Sequence, residues 1–257
     1  MPTTFFGWVA LLVREYGPRF LQGSAISLVL AVVGTAAGCL IGFLVGLVQT
    51  IPSTPQDGPV KRVALRAGKF LLGIYVGFFR GTPMIAQAMV FYYGIVQLTG
   101  FKISALLAGL IVVSINTGAY MAETVRGGIQ SIDPGQVEGA KAIGMTHGRT
   151  MLRIILPQAF RNIIPQIGNN LVGNIKDTSV LSVISVNELF FIGRSASGAY
   201  FRYFETFFII CVIYLILTYS ATWLLNFLEK KMAGPASYKL ATEYLDDKPG
   251  GPAALHE

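Results

Sequence analysis

Asp133-Pro134-Gly135-Gln136-Val137-Glu138-Gly139-Ala140-Lys141-Ala142-Ile143-Gly144, followed after a short basic stretch by Ile154-Ile155-Leu156-Pro157, lies between two apolar runs. Asp133 before Pro134 reads as a helix N-cap and first helical position, with Gln136 three residues past the cap as in a capping box. The helix runs on through Ile143. Gly144 is placed to end it in the left-handed conformation, which costs most other residues energy. Thr146 caps a second helix over 147–155, which Pro157 separates from the apolar run beyond. The stretch thus specifies two short helices joined by a tight bend, a knob suited to a cleft in another protein.

The chain around this knob is built for lipid. Hydrophobic residues make up 53% of its 257 positions and charged residues 13%, with mean hydropathy +0.59. A soluble domain carries roughly 25% charged residues. Five spans fit, near 20–48, 82–97, 103–125, 157–175 and 203–228, each close to the ~20 residues that cross a ~30 Å hydrocarbon core. A basic amphipathic segment, 60–79, precedes the second span, and a polar-edged re-entry, 180–191, follows the fourth. Pro83 and Pro165 interrupt the second and fourth spans. Broken helices are tolerated at membrane depth only beside protein or a water-filled cavity, so both spans read as lining a pathway.

The formal charge of +7 does not form one patch. Basic residues cluster at 61–80, at 126–161 and after 230, always at span ends. That pattern sets membrane topology and calls for no nucleic acid. With those clusters in the cytosol, only Arg14, Arg19, Lys102, Arg194 and Arg202 fall outside, and Lys176 lies near a span. The expected orientation is N-terminus outside and C-terminus cytoplasmic. Residues 1–19 form an extracytoplasmic segment, 20–228 the transmembrane domain with the knob at 133–157, and 229–257 a disordered cytosolic tail. Residues 1–4 carry no basic or cleavable signal, so the first span is expected to be retained. Cys39 and Cys211 read as small buried hydrophobes, and His147 and His256 do not make a metal centre.

Gly34, Gly38, Gly42 and Gly46 recur every four residues in the first span. They share one helix face and form a groove for another backbone, either within the subunit or across a dimer. Polar residues mark a second feature: Thr82, Asn116, Asn170, Asn174, Lys176 and Asp177. So many polar groups are untenable against lipid, and as a set they read as the lining of a polar solute's path. The alternative role for each is to bond helices together or fix a gate. Lys176 and Asp177 point about 100° apart on a helix and do not neutralise each other. Glu123 is a conceivable partner for Lys176, with Arg126 at i+3 its more local option.

Glu138, Ala140, Gly144, Ile154, Leu156 and Pro157 match, in identity and spacing, the EAA loop that type I ABC importer permeases present to a cytosolic ATPase. Gly139 stands where that pattern has its first alanine, a loss of about 1 kcal/mol of helix propensity. Phe79-Arg80-Gly81-Thr82-Pro83, Ala119-Tyr120-Met121-Ala122-Glu123 with Arg126-Gly127-Gly128, and Ile175-Lys176-Asp177-Thr178-Ser179 resemble the polar amino acid permeases. The resemblance covers about residues 20–228. It implies an all-α integral membrane protein of about five transmembrane helices in a bacterial-type inner membrane. Glu138, Gly139, Ala140, Gly144, Ile154, Leu156 and Pro157 would couple it to ABC ATPase subunits, which bind ATP and Mg. A second permease subunit, identical or paralogous, and an extracytoplasmic solute-binding protein complete the implied assembly, with a polar amino acid as cargo.

The chain carries no G-x-x-x-x-G-K-[ST] phosphate loop, so a transporter subunit without its own ATPase site is expected. An ion-coupled secondary transporter would also explain broken spans, but it predicts inverted repeats and needs no structured knob. A membrane-embedded enzyme needs a convergent catalytic or metal constellation, and no such spacing occurs.

Overall fold

The computed structural model describes residues 2–53 and 58–232, and every regular element among them is helical. The chain divides into two units. The first is Met1–Thr222; the second, Trp223–Glu257, is described only to residue 232, where it continues the last helix. The tail expected to be disordered lies otherwise outside the described residues.

Helix α1 spans Phe5–Thr50, about 69 Å at 1.5 Å per residue. Thr4 starts it, its hydroxyl accepting from Gly7 N at 3.2 Å. The expected boundary at residue 19 is not a break, because Pro18 lies inside the helix. Leu12 and Phe20, on either side of that proline, are buried in one cluster with Leu189, Ala196 and Ile210. Packing on both flanks holds the helix through a residue that otherwise costs it ~3 kcal/mol.

Helix α4 (Ala105–Gln130) runs along α1 in the same direction. A β-carbon placed on Gly34, Gly38, Gly42 or Gly46 would stand 2.5, 2.6, 2.4 or 2.7 Å from Val113, Thr117, Met121 or Val125 respectively. Both sides of the seam advance by four residues, so small residue meets large at each turn. The glycine groove is therefore filled within the subunit.

Between them, α2 (Pro59–Gly81) and α3 (Met84–Thr99) are separated by a short break at Thr82-Pro83. Tyr75 OH donates to Ile115 O at 2.7 Å, and Ala88 packs with Ala108 and Val112. Hence α2 and α3 together climb α4 in the direction opposite to α1, and the break lies level with the middle of α4. The basic segment ending at Arg80 is not a separate lead-in to the second span; its last turns already lie beside α4.

After α4 come α5 (Pro134–Ala142), the single turn α6 (His147–Thr150), a π turn at Met151–Ile155, and α7 (Leu156–Asp177). A 3-10 turn (Thr178–Ile184), α8 (Leu189–Tyr200) and α9 (Tyr203–Met232) complete the described chain. The expectation that Pro157 separates the second knob helix from the fourth span is corrected, since helix is continuous from His147 to Asp177. The π turn shifts the hydrogen-bond register by one residue, Leu156 N–H reaching Met151 O, and so accommodates the proline. Gln158 Nε2 serves Ile154 O at 2.8 Å where the register changes. Pro165 likewise lies inside α7 without breaking it.

Among the described residues, three helices are long and apolar enough to cross a membrane: Phe5–Thr50, Ala105–Gln130 and Tyr203–Lys231. Helix α3 is apolar but has 16 residues, about 24 Å. Helix α7 has the length, with 22 residues, but carries a polar face. Cys39 is half-buried rather than buried, and Cys211 lies on the outer face of α9.

Candidate functional site

Pro83 has no N–H, so the carbonyl four residues back, that of Phe79, loses its helical donor. Two side chains replace it. Gln87 Nε2 donates to Phe79 O at 3.0 Å and Asn116 Nδ2 at 3.2 Å. Gln87 also donates to Thr82 O and Thr82 Oγ1, both at 2.9 Å, and its own oxygen accepts from Asn116 at 2.9 Å. The interruption is thus stitched to α4 by two carboxamides.

This stitched break forms one wall of a cavity of about 510 Å³. Helix α4 contributes Asn116, Thr117 and Tyr120; α7 contributes Gln166, Asn169, Asn170, Gly173, Asn174 and Asp177. The α7 residues recur at spacings of three and four, which puts them on one face. Of the six pathway residues expected from sequence, the structure brings five together here: Thr82, Asn116, Asn170, Asn174 and Asp177. Lys176 does not line the cavity and is exposed.

The five are not equivalent. Asn174 is buried and donates to Thr35 Oγ1 at 2.8 Å and Thr117 Oγ1 at 2.9 Å, tying α7 to both α1 and α4. Asn116 is committed to the break. Asn170 donates to Gln166 O at 2.9 Å and reaches Met121 Sδ at 3.4 Å. The Asp177 side chain makes no hydrogen bond among the described residues. Glu123 does not pair with Lys176. It bonds Arg126, as the i+3 spacing allows, and bridges to Arg80 at 3.3 Å. Arg80 also lies over the ring of the cavity residue Tyr120, 5.7 Å from its centroid.

Sequence reasoning missed Gln87, Gln166, Tyr120 and the hydroxyl partners Thr35 and Thr117. Gln87 had a signal: a carboxamide in an apolar helix, four residues past a proline. Gln166 had another, lying four residues before Asn170. The threonines had none, since their role depends on helices distant in sequence.

At the other end of α7 the knob forms its first helix and bend as expected, while its second helix runs on into α7. Asp133 caps α5, Oδ1 accepting from Gly135 N at 2.7 Å. Gln136 contributes only its backbone N–H, to Asp133 O at 3.0 Å, so Asp133 caps through Gly135 alone and the reciprocal bonds of a capping box do not form. Gly144 has φ +77°. Its N–H donates to Lys141 O at 2.9 Å, and Met145 N–H donates to Ala140 O at 3.0 Å, the paired bonds of a Schellman stop. Thr146 occupies the next N-cap, although its hydroxyl makes no capping bond.

Ala140 and Leu156 of the expected coupling set are buried, and Ile154 packs against the cluster of Ile155, Ala159 and Met121. Glu138, Gly139, Gly144 and Pro157 are exposed. A β-carbon on Gly139 would meet nothing within 4 Å. Two large apolar side chains stand out from the knob, Ile143 at 76% and Leu152 at 69% exposure. No group of acidic, histidine or cysteine side chains suited to a metal occurs among the described residues.

Residues 62–234 match the family described as "Binding-protein-dependent transport system inner membrane component". The arginine transport system permease protein ArtQ of Bacillus subtilis is 34% identical over 215 residues, covering 84% of this chain and 93% of the relative. The glutamine transport system permease protein GlnP of Escherichia coli K12 is 33% identical over 228 residues, covering 88% and 98%. A crystal structure of an amino acid ABC transporter with histidines superposes with TM-score 0.77 at 33% identity, covering 90% of this chain and all of that one. An inward-facing MetNI methionine ABC transporter shares the fold, with TM-score 0.67 at 19% identity, covering 82% and 95%. The chain is an integral membrane protein belonging to the binding-protein-dependent transport system inner membrane component family.

Proposed function

We propose that the chain is the membrane-spanning permease subunit of an ATP-binding cassette importer for polar amino acids. The observation that carries this reading is one continuous helical run with two specialised ends. From residue 156 upward, α7 presents Gln166, Asn169, Asn170, Asn174 and Asp177 to a cavity; below it, the run joins the exposed knob at 133–157. The amino acid permeases among the relatives support the cargo class.

In this reading Glu138, Gly139, Ala140, Gly144, Ile154, Leu156 and Pro157 couple to an ATPase subunit that binds ATP and Mg. Ile143 and Leu152 supply the apolar contacts of that docking, since exposed apolar side chains on a polar loop favour burial in a partner. Thr82, Asn116, Asn170 and Asp177 line the passage, and Asn174 fixes its wall. Lys176 lies outside the passage. A second permease subunit, identical or paralogous, pairs with this one, and a solute-binding protein delivers the amino acid from outside. The N-terminus lies outside and the C-terminus in the cytoplasm. Together α2 and α3 make one crossing, which gives five spans with α1, α4, α7 and α9.

Force then travels along a short route. Movement of the docked knob displaces the foot of α7, whose upper face forms the cavity wall. The break at Thr82-Pro83 lets the opposite wall yield without breaking the α1–α4 seam. Co-purification with an ATPase, and amino acid uptake abolished by vanadate, test the reading. Uptake that persists with vanadate, or in the absence of any ATPase subunit, contradicts it.

A further inference from the structure

The cavity is electrostatically one-sided. Among the described residues that line it, Asp177 alone is charged at neutral pH. Arg80, over the cavity residue Tyr120, is held by Glu123, and Lys176, close enough to act on the charge of Asp177, is exposed and does not line the cavity. The carboxylate of Asp177 is bonded to nothing among the described residues. A β-carbon on Gly173 would stand 3.9 Å from Asp177 Oδ2, so the absent side chain leaves the flank of the carboxylate open.

The amides divide into committed and free groups. Those of Asn116, Asn170 and Asn174 already donate within the protein. Gln166 and Asn169 line the same face and make no side-chain hydrogen bond among the described residues. Asn169 and Asp177 are eight residues apart, about 12 Å along α7. Free amide donors therefore stand at one end of the face and, at the other, the one charged group on the lining, a carboxylate. A carboxylate in a partly desolvated hollow favours a cation beside it and disfavours an anion. A neutral cargo offers that charge no partner within the cavity, and an acidic one is repelled.

Resting on the reading of the cavity as the amino acid's passage, we propose that it prefers amino acids with a positively charged side chain. The cationic head faces Asp177, and Gln166 and Asn169 donate to the α-carboxylate. The three- or four-carbon stem of such a side chain separates its two charged ends enough to engage both. This selectivity belongs to the membrane subunit itself, independently of a binding protein.

The test is equilibrium binding of arginine, glutamine and glutamate to the complete permease–ATPase complex in detergent, with the binding protein absent. Arginine is expected to bind about tenfold or more tightly than glutamine, the scale of one charge-assisted hydrogen bond, with glutamate weakest. Asp177→Asn should bring arginine down to the level of glutamine, and Asp177→Glu should restore the preference. Asn169→Ala should weaken arginine and glutamine alike. Melting of each variant complex at the wild-type temperature establishes that it is folded. Equal affinities in the wild type, or a preference that survives Asp177→Asn, overturn the proposal. If glutamine binding then still depends on Asn169, the passage reading stands alone. Binding indifferent to both positions, or no binding by the wild-type complex, removes both readings.

Discussion

The α1–α4 seam and the cavity wall opposite it use the same small and polar residue types for contrary ends. Along the seam, Gly34, Gly38, Gly42 and Gly46 are occupied turn by turn by α4. On the helices that flank the cavity wall, Gly73 and Gly77 of α2 and Gly94 of α3 have nothing within 4 Å of a would-be β-carbon. The seam is sealed by backbone approach; the wall is held by carboxamides around a proline break. A close-packed interface has one arrangement, whereas hydrogen-bonded stitching can be remade in another. The molecule thus divides into a fixed spine and a wall able to move.

The largest effect is expected from attacking the spine. In Gly42→Leu the new β-carbon would sit 2.4 Å from Met121 Cβ and 2.8 Å from backbone atoms of Ala122 and Gly118. The helices must separate, at a cost of about 3 kcal/mol or more, seen as a large fall in melting temperature in detergent. Gly77→Leu on the open face of α2 should leave the melting temperature of the isolated subunit unchanged. Equal losses would erase the distinction between the two regions.

Gln87→Leu comes next. It strands Thr82 O, leaves Phe79 O with Asn116 alone and takes an acceptor from Asn116, a loss of about 2 kcal/mol, and should abolish uptake even where protein is recovered. Wild-type uptake by that variant would show that the stitching does not matter. Gly144→Val forces a β-branched residue to φ +77°, a strain of about 1–3 kcal/mol confined to the knob. Membrane insertion should be normal and co-purification of the ATPase lost. Gly139→Ala is the mildest: the site is open, and the helix should gain about 1 kcal/mol with uptake retained. A loss of coupling there would show that the partner itself requires the missing methyl.

Much of the spine and knob was legible because their signals are local. A four-residue glycine period states a helix–helix contact. Asp133, Pro134 and Gly144 each do what their backbone chemistry dictates. Sequence alone left open which helix fills the groove, because the matching period at Val113, Thr117, Met121 and Val125 is spelled in unlike residues. The π turn was hidden, since proline at 157 predicts a stop whereas a register shift of one hydrogen bond carries the helix past it. Lys176 and Asp177 were read together as neighbours, but one residue of helical rotation puts only Asp177 on the cavity. The committed roles of Asn116 and Asn174 depend on Gln87, Thr35 and Thr117, distant in the chain and invisible to any spacing rule.

The central claim is that the face of α7 between Gln166 and Asp177 forms the amino acid's passage, worked from the knob at its foot. The most direct measurement is ATP-driven uptake of labelled amino acids by proteoliposomes containing the complete transporter with Asn170→Trp, which obstructs the cavity. The account predicts uptake at background for every amino acid, from a complex that still assembles with its ATPase and melts where the wild type does. Uptake at the wild-type rate through that obstructed cavity would contradict it.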